Sequence, residues 1–165
     1  MNTEDKIKEN DPLAAVFLEK FKDHFPSLNY EWAGEEPPHL AIHAIHPDVG
    51  PIDVWFDRDE LTIGIGEYFH THFSLYDYED LPEEQQWQAS SDEAVRFIDD
   101  FISERIILSI KYFGGEPRSA SIFYEDDPEH CSTIVPAQKD SSKPDSKEIK
   151  EIFYKWSGLV NQGKN

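Results

Sequence analysis

The amino-acid sequence predicts an α+β domain: a mainly antiparallel sheet of four to five strands packed against a long helix, with N- and C-terminal helices. Three observations carry that expectation. The alternating apolar segments cluster in the middle of the chain instead of taking turns with helical ones, which argues against a doubly wound sheet. Two of them, "IDVWFD" and "ELTIGIGEYF", are joined through "RDE", whose Glu60 already opens the second, a connection short enough to demand an antiparallel hairpin. A sustained helical stripe then follows from Ser90.

Residues 1–10 are polar and read as a loose N-terminus. Asp11-Pro12 reads as a helix start, with Asp as N-cap and Pro in the first turn. Leu13, Phe17, Phe21 and Phe25 recur at a spacing of four, so one helical face is apolar up to Pro26. His24, at the C-terminal end of that helix, suits the helix dipole and reads as structural.

"AGEEPPH" is a connector. "HLAIHAIH" alternates, with Leu40, Ile42 and Ala44 on one face and His39, Ala41 and His43 on the other. A helix would instead align His39, His43 and His46, but the flanking prolines favour a strand. In the following hairpin Ile52, Val54 and Phe56 face inward with Leu61, Ile63 and Ile65. The outer face carries Asp53, Trp55 and Asp57 beside Thr62, Gly64 and Gly66. Glycines opposite a tryptophan leave room for the indole to lie flat, or mark a bulge.

"SLYDYEDLPEEQQWQAS" is a polar, acidic connection. Ser90 and Glu93 fit a capping box. Ala94, Phe97, Ile98, Phe101, Ile102 and Arg105 then trace a helix expected to run to Phe113 and stop at Gly114-Gly115. "SASIFYE" reads as a strand and "STIVPA" as a further one. Residues 138–146 read as a flexible linker. Asp145 and Glu148 could cap a last helix, with Ile149, Ile152, Phe153 and Trp156 as its apolar face and Gly158 as its stop.

A chain of 165 residues is long enough for one domain with a sizeable core, and the expected domain spans 1–165. Aromatics at 13% argue against global disorder and for a core built on Phe, Trp and Tyr. Fifteen Lys and Arg against 34 Asp and Glu give a net charge of −19. That charge disfavours nucleic acid, whose phosphates need a basic surface. It disfavours anionic membrane surfaces for the same reason. It favours a basic protein partner, which such a field would steer in. The acidity is uneven. Residues 39–89 hold eleven acids against Arg58 alone, a balance of −10, whereas residues 139–165 hold six lysines against four acids, a balance of +2. Cys131 is the only cysteine and cannot form an internal disulfide. With no apolar leader after "MNTEDKIKEN", the expected location is cytoplasmic.

Five of the seven histidines fall within residues 39–72. On a strand, His70 and His72 share one face about 7 Å apart along the backbone. They could serve one metal ion if His39, His43 or Asp77 converged with them. The competing reading is a polar, aromatic sheet face pairing imidazoles with carboxylates, without cofactor. Nucleophilic chemistry is disfavoured. His130 and Cys131 are adjacent and point apart in an extended segment, and the neighbouring acids would raise the thiol pKa. "GIGEYF" lacks the third glycine of a dinucleotide loop. "DRDEL" matches a calcium loop at Asp57 and Asp59 only.

What remains is surface. Aromatics among acids suit an interface, with rings supplying buried area and carboxylates meeting Arg or Lys. The expected partner-binding residues are Asp53, Trp55, Asp57, Glu67, Tyr68, His70, His72, Tyr76, Asp77, Glu79 and Asp80. The simpler alternative for Tyr68 and Phe73 is that they close an edge of the core. "DVWFDRDELTIGIGEYFHTHF" followed by "SDEAVRFIDDFISERIILSIKYFGG" resembles small acidic immunity proteins of bacterial polymorphic toxin systems, over roughly residues 50–125. The resemblance implies a non-enzymatic protein that binds and blocks a cognate toxin. The alternative is a metal-dependent enzyme using the His-x-His strand site.

Overall fold

Three α-helices and two antiparallel sheets make up residues 1–134 and 149–160, the residues described by the computed structural model. The helices are α1 (Thr3–Asn10), α2 (Pro12–His24) and α3 (Glu83–Ile102). The first sheet is a meander of β1 (Tyr30–Ala33), β2 (His39–Ile42), β3 (Ile52–Asp57), β4 (Glu60–Ile65) and β5 (Phe69–Ser74), neighbours in chain order. In the second sheet the strands lie in the order β10 (Gly158–Leu159), β9 (Ile149–Lys155), β6 (Ile106–Phe113), β7 (Glu116–Tyr124), β8 (Asp127–Ile134). The α+β class, the antiparallel pairing, the N-terminal helix and the long helix agree with the sequence. The strand count does not: ten strands are present among the described residues, in two sheets rather than one.

α2 begins as its sequence dictates. The Asp11 carboxylate accepts from the Ala14 N–H at 3.0 Å, and Pro12 occupies the first turn, where a missing N–H costs nothing. Leu13, Phe17 and Phe21 are fully buried. Phe17 packs against Phe56 at 5.8 Å between ring centroids, and Phe21 against Tyr30 at 5.5 Å, which seats α2 on the inner face of the first sheet. His24 lies 3.4 Å from Asp99 at the end of the helix. Residues 3–10 form α1 instead of a loose tail: Asn2 caps the Asp5 N–H at 2.9 Å, and Glu4 joins Lys8 and Lys22, tying α1 to α2.

α3 departs from the expected element at both ends. It starts at Glu83, and Ser90 is not its cap: buried in mid-helix, Ser90 donates its hydroxyl to the Phe73 carbonyl of edge strand β5 at 3.1 Å. It stops at Ile102, eleven residues before the expected Phe113. Glu104 adopts φ +63°, a left-handed turn that ends helical geometry. The Arg105 N–H returns to the Asp100 carbonyl at 2.8 Å, and its guanidinium bridges Asp99 and Asp100. Tyr124 donates its hydroxyl to Asp100 at 2.9 Å, so the corner is tied to the second sheet as well. The segment after the corner, "IILSI", is β-branched and buried on both faces, which suits a central strand better than a helix.

The expected C-terminal helix is also corrected. Residues 149–155 form β9, paired antiparallel with β6 from Leu108–Tyr154 to Phe113–Ile149. "IKEIFYKW" satisfies both periods. The β6 edge selects the strand, because pairing there satisfies every backbone group of an otherwise open ladder. β1 was not expected from the sequence. The third strand ends at Ile65 instead of running through "EYF", and "FHTHFS" is a strand of its own. The expected flexible run 138–146 lies outside the described residues.

The apolar core is continuous from α2 through the inner face of the first sheet and α3 to β6, β7 and Tyr154. Phe97 on α3 meets Phe69 and Phe73 at 6.5 and 5.8 Å, while Phe101, four residues on, meets Trp156 beside β9 at 5.8 Å. Emptying that junction should be expensive. Phe101→Ala should cost about 3–5 kcal/mol, read as the change in unfolding free energy by denaturant titration. A loss under about 1 kcal/mol would show that Phe101 is not a core anchor.

Candidate functional site, the outer face of the first sheet

α2 and α3 both cover the inner face, so the side chains of the opposite face of the first sheet point away from these two helices. Antiparallel register sets its side chains in rows. One row runs Glu31, Ala41, Asp53, Gly64, His70. The next contains Trp55, Thr62 and His72, with His39 stacked beside Trp55 at 5.1 Å and 31° between rings. A third runs Asp57, Glu60, Ser74.

Trp55 organises this face, and Gly64 permits it. A Cβ on Gly64 would lie 2.8 Å from Cζ3 of Trp55, so the indole lies down over the glycine, as the spacing of aromatic and glycine predicts. Gly66 has a different task. It sits at φ +55°, and a Cβ there would lie 2.3 Å from the Val49 carbonyl oxygen. Its left-handed backbone ends β4 and turns the chain back, so His70 and His72 return on the same face as Trp55.

Carboxylates and imidazoles pair across the rows. His72 Nδ1 lies 2.7 Å from Glu60 Oε1 and 3.1 Å from the Thr62 hydroxyl. His39 Nε2 lies 3.4 Å from Asp53, and His43 Nε2 lies 3.9 Å from Glu31. The His70 and His72 rings meet edge to face at 5.1 Å. The Asp53 side chain is only 15% exposed, and this desolvation pushes its carboxyl above the usual range, with His39 pulling the other way. Among the described residues no group of three or more His, Cys, Asp or Glu is arranged to hold a metal ion. Cys131 and His130 fall on β8, where only the backbone is described.

Of the eleven residues expected to form an interface, Asp53, Trp55, Asp57, His70 and His72 share this face. Tyr76, Asp77, Glu79 and Asp80 are in or beside a 3-10 turn that follows β5, with Tyr76 72% exposed. Glu67 and Tyr68 occupy the β4–β5 turn and line a small cavity of about 120 Å³ with Pro117, Ser119 and Ala120 of β7. Tyr68 is half-buried with its hydroxyl facing Tyr112, which in turn faces Tyr154. Burial, then the Tyr154 hydroxyl, pushes the Tyr112 phenol up to about 12. Tyr68 thus helps join the two sheets. Thr62 lies on the outer face as the sequence implies, whereas Glu60 was not expected there, although the hairpin register implies it. His39 sits beside Asp53 as one of the imidazoles paired with carboxylates, the reading that competed with a metal site.

No protein-family model, no curated protein and no solved structure matches the chain. Among the described residues no helix is long and apolar enough to cross a membrane.

Two outcomes follow from the geometry. Gly64→Ala should displace the Trp55 indole, shifting its Nε1–H resonance and costing about 1–3 kcal/mol of stability through overpacking. An unmoved resonance would show that the contact is not restrictive. Asp53→Asn tests the buried carboxyl. A folded pKa above the unfolded one means the native state holds the proton to higher pH, so stability falls as pH rises through that interval. The amide should therefore stabilise the protein at neutral pH, with the gain vanishing once pH drops below the unfolded carboxyl range. Denaturant melts across pH would read this, and equal gains at every pH would contradict it.

Proposed function

We propose that this protein is a non-enzymatic acidic binding protein, an immunity-type inhibitor that occludes a basic toxin in the producing cell. The observation that carries the reading is the open sheet face, where one flat tryptophan has Asp53, Asp57 and Glu60 about it, all in the most acidic third of the chain. A rigid aromatic anchor ringed by charge is the composition of an interface centre and its rim. The absence of a basic counterweight in residues 39–89, other than Arg58, supports a cationic ligand. The adjacent 3-10 turn, with Tyr76, Asp77, Glu79 and Asp80, would extend the acidic rim.

The ligand for a test is a basic toxin, which this reading expects to be encoded beside the chain's gene. Co-expression should protect the host cell, and association followed by stopped flow should slow steeply as salt rises, because screening acts over about 8 Å at physiological ionic strength. Neutralising Asp77 and Glu79 together should lower the on-rate more than it raises the off-rate. Trp55→Ala should do the reverse, since a buried anchor acts after encounter. A toxin that is acidic, or binding indifferent to salt, would overturn electrostatic occlusion.

A further inference from the structure

α1 contributes no buried side chain to the core, so apolar burial does not explain where it lies. It is held by Glu4, which reaches Lys22 of α2, and by its Asn2 cap. What α1 does is wall a cleft. The other walls are the β1–β2 connection and the tip of the β3–β4 hairpin, and the space between them is about 490 Å³. That is the size of a small-ligand site. Pro37, Pro38 and Phe56 give the cleft an apolar side, to which Ile7 of α1 adds.

The charges around the cleft are arranged unlike those nearby. Five bases occur in residues 1–90. Lys8 and Lys22 pair with Glu4, and Lys20 pairs with Asp92. The other two, Lys6 and Arg58, both line the cleft, and among the described residues neither meets a carboxylate within ion-pair distance. Glu35, Glu36 and Asp57, the exposed acids of the cleft, likewise meet no base among the described residues. Each wall carries its own charges: Lys6 on α1, Glu35 and Glu36 in the β1–β2 connection, Asp57 and Arg58 at the hairpin tip. The fourth acid, Asp11, is nearly buried and already caps α2. Burial pushes its carboxyl up, and the charges of Asp57 and Asp59 act in the same direction, so negative potential reaches into the cleft. A purely anionic ligand would face these carboxylates, and a purely cationic one would face Lys6 and Arg58. A ligand carrying both signs meets both sets.

We propose that the cleft binds a short peptide through its two charged ends, the carboxylate held by Arg58 and Lys6 and the ammonium by Asp57, Glu35 and Glu36. The guanidinium of Arg58 suits a carboxylate, because its planar fork donates two parallel hydrogen bonds. An ammonium suits several carboxylates at once, because it is a compact charge with three rotatable donors. The proline and phenylalanine surfaces accept an apolar side chain between the ends. A lone amino acid would fill little of the volume, so a peptide is the better fit. The inference goes beyond the binding reading above, and of its residues only Asp57 belongs to the interface proposed there.

The test uses the full chain, labelled with ¹⁵N, and three probes: the dipeptide Ala-Phe, its N-acetylated form and its C-terminal amide. Ala-Phe should shift the Gly34 amide and the Arg58 Nε–H resonances saturably at about 5 mM or below. Each blocked form should bind about tenfold or more weaker, since removing one charge strands the groups that faced it. The double variant Lys6→Gln, Arg58→Gln should bind Ala-Phe and its amide within about twofold of each other. Both substituted side chains are exposed, and an unchanged Trp55 indole resonance checks that the variant folds. An amide that binds the wild-type chain as tightly as Ala-Phe would overturn the role of Arg58 and Lys6. An equally tight acetylated form would overturn that of the carboxylates. If no probe moves the Gly34 or Arg58 resonances, the cleft is not a peptide site, and the toxin-binding reading stands or falls by its own test.

Discussion

The fold depends on the apolar stripe of α3. Its residues face two sheets at once: Phe97 reaches Phe69 and Phe73 of the first, and Phe101 reaches Trp156 beside the second. Ala94 and Ile98 are fully buried between these contacts. One helix therefore supplies the apolar partner that neither sheet could do without, since a sheet with one apolar face must bury it against something. With α2 alongside, the inner face of the first sheet is fully occupied. The outer face is left to polar and aromatic side chains.

The end of α3 is as important as its face. Asp100 is nearly buried, which would be costly for a lone carboxylate. Its oxygens are met by the Arg105 guanidinium and the Tyr124 hydroxyl, and burial followed by the Asp100 bond raises the Tyr124 phenol to about 12. Glu104 accepts from the Ser157 N–H at 2.9 Å, bringing the β9–β10 turn to the same corner. Across the molecule, Tyr68, Tyr112 and Tyr154 link the β4–β5 turn to the second sheet by hydroxyl contacts. The two sheets are thus held by packing in the middle, by hydrogen bonds at one margin and by tyrosine contacts at the other. The strands that carry Trp55 and His72 gain rigidity from that arrangement, which favours recognition by lowering the ordering cost of binding.

The outer face shows how electrostatics and packing interact on an open sheet. A row of unpaired carboxylates would repel one another, and here imidazoles interleave them. Asp53 is largely removed from water, which makes its carboxylate more expensive to keep charged. A cation delivered by a partner would relieve that cost, so the desolvation already incurred in the free protein favours association.

Much of this architecture was legible in the residues alone. Asp11-Pro12 marked the start of α2, the Phe17–Phe21 spacing its buried face, and the short connection after Asp57 the hairpin whose register lays Trp55 beside Gly64. These signals are local: a cap, a period and a turn each act within a few residues. The sequence also determined the acidity and where it concentrates. Three things were decided only by tertiary structure. "IILSI" continues the apolar stripe of α3 and "IKEIFYKW" satisfies both periods, and the choice of strand fell to the neighbours that could pair their backbones, β7 and β9 for the first and β6 for the second. Tyr68 could close a core edge or face a partner, and Tyr112, over forty residues away in the chain, drew it to the sheet junction. The meeting of His39 with Trp55 and Asp53 depended on how β2 docks against β3, a register that no local turn sets because a long connection separates the two strands. Local chemistry chose the elements it could complete by itself, and long-range pairing decided the rest.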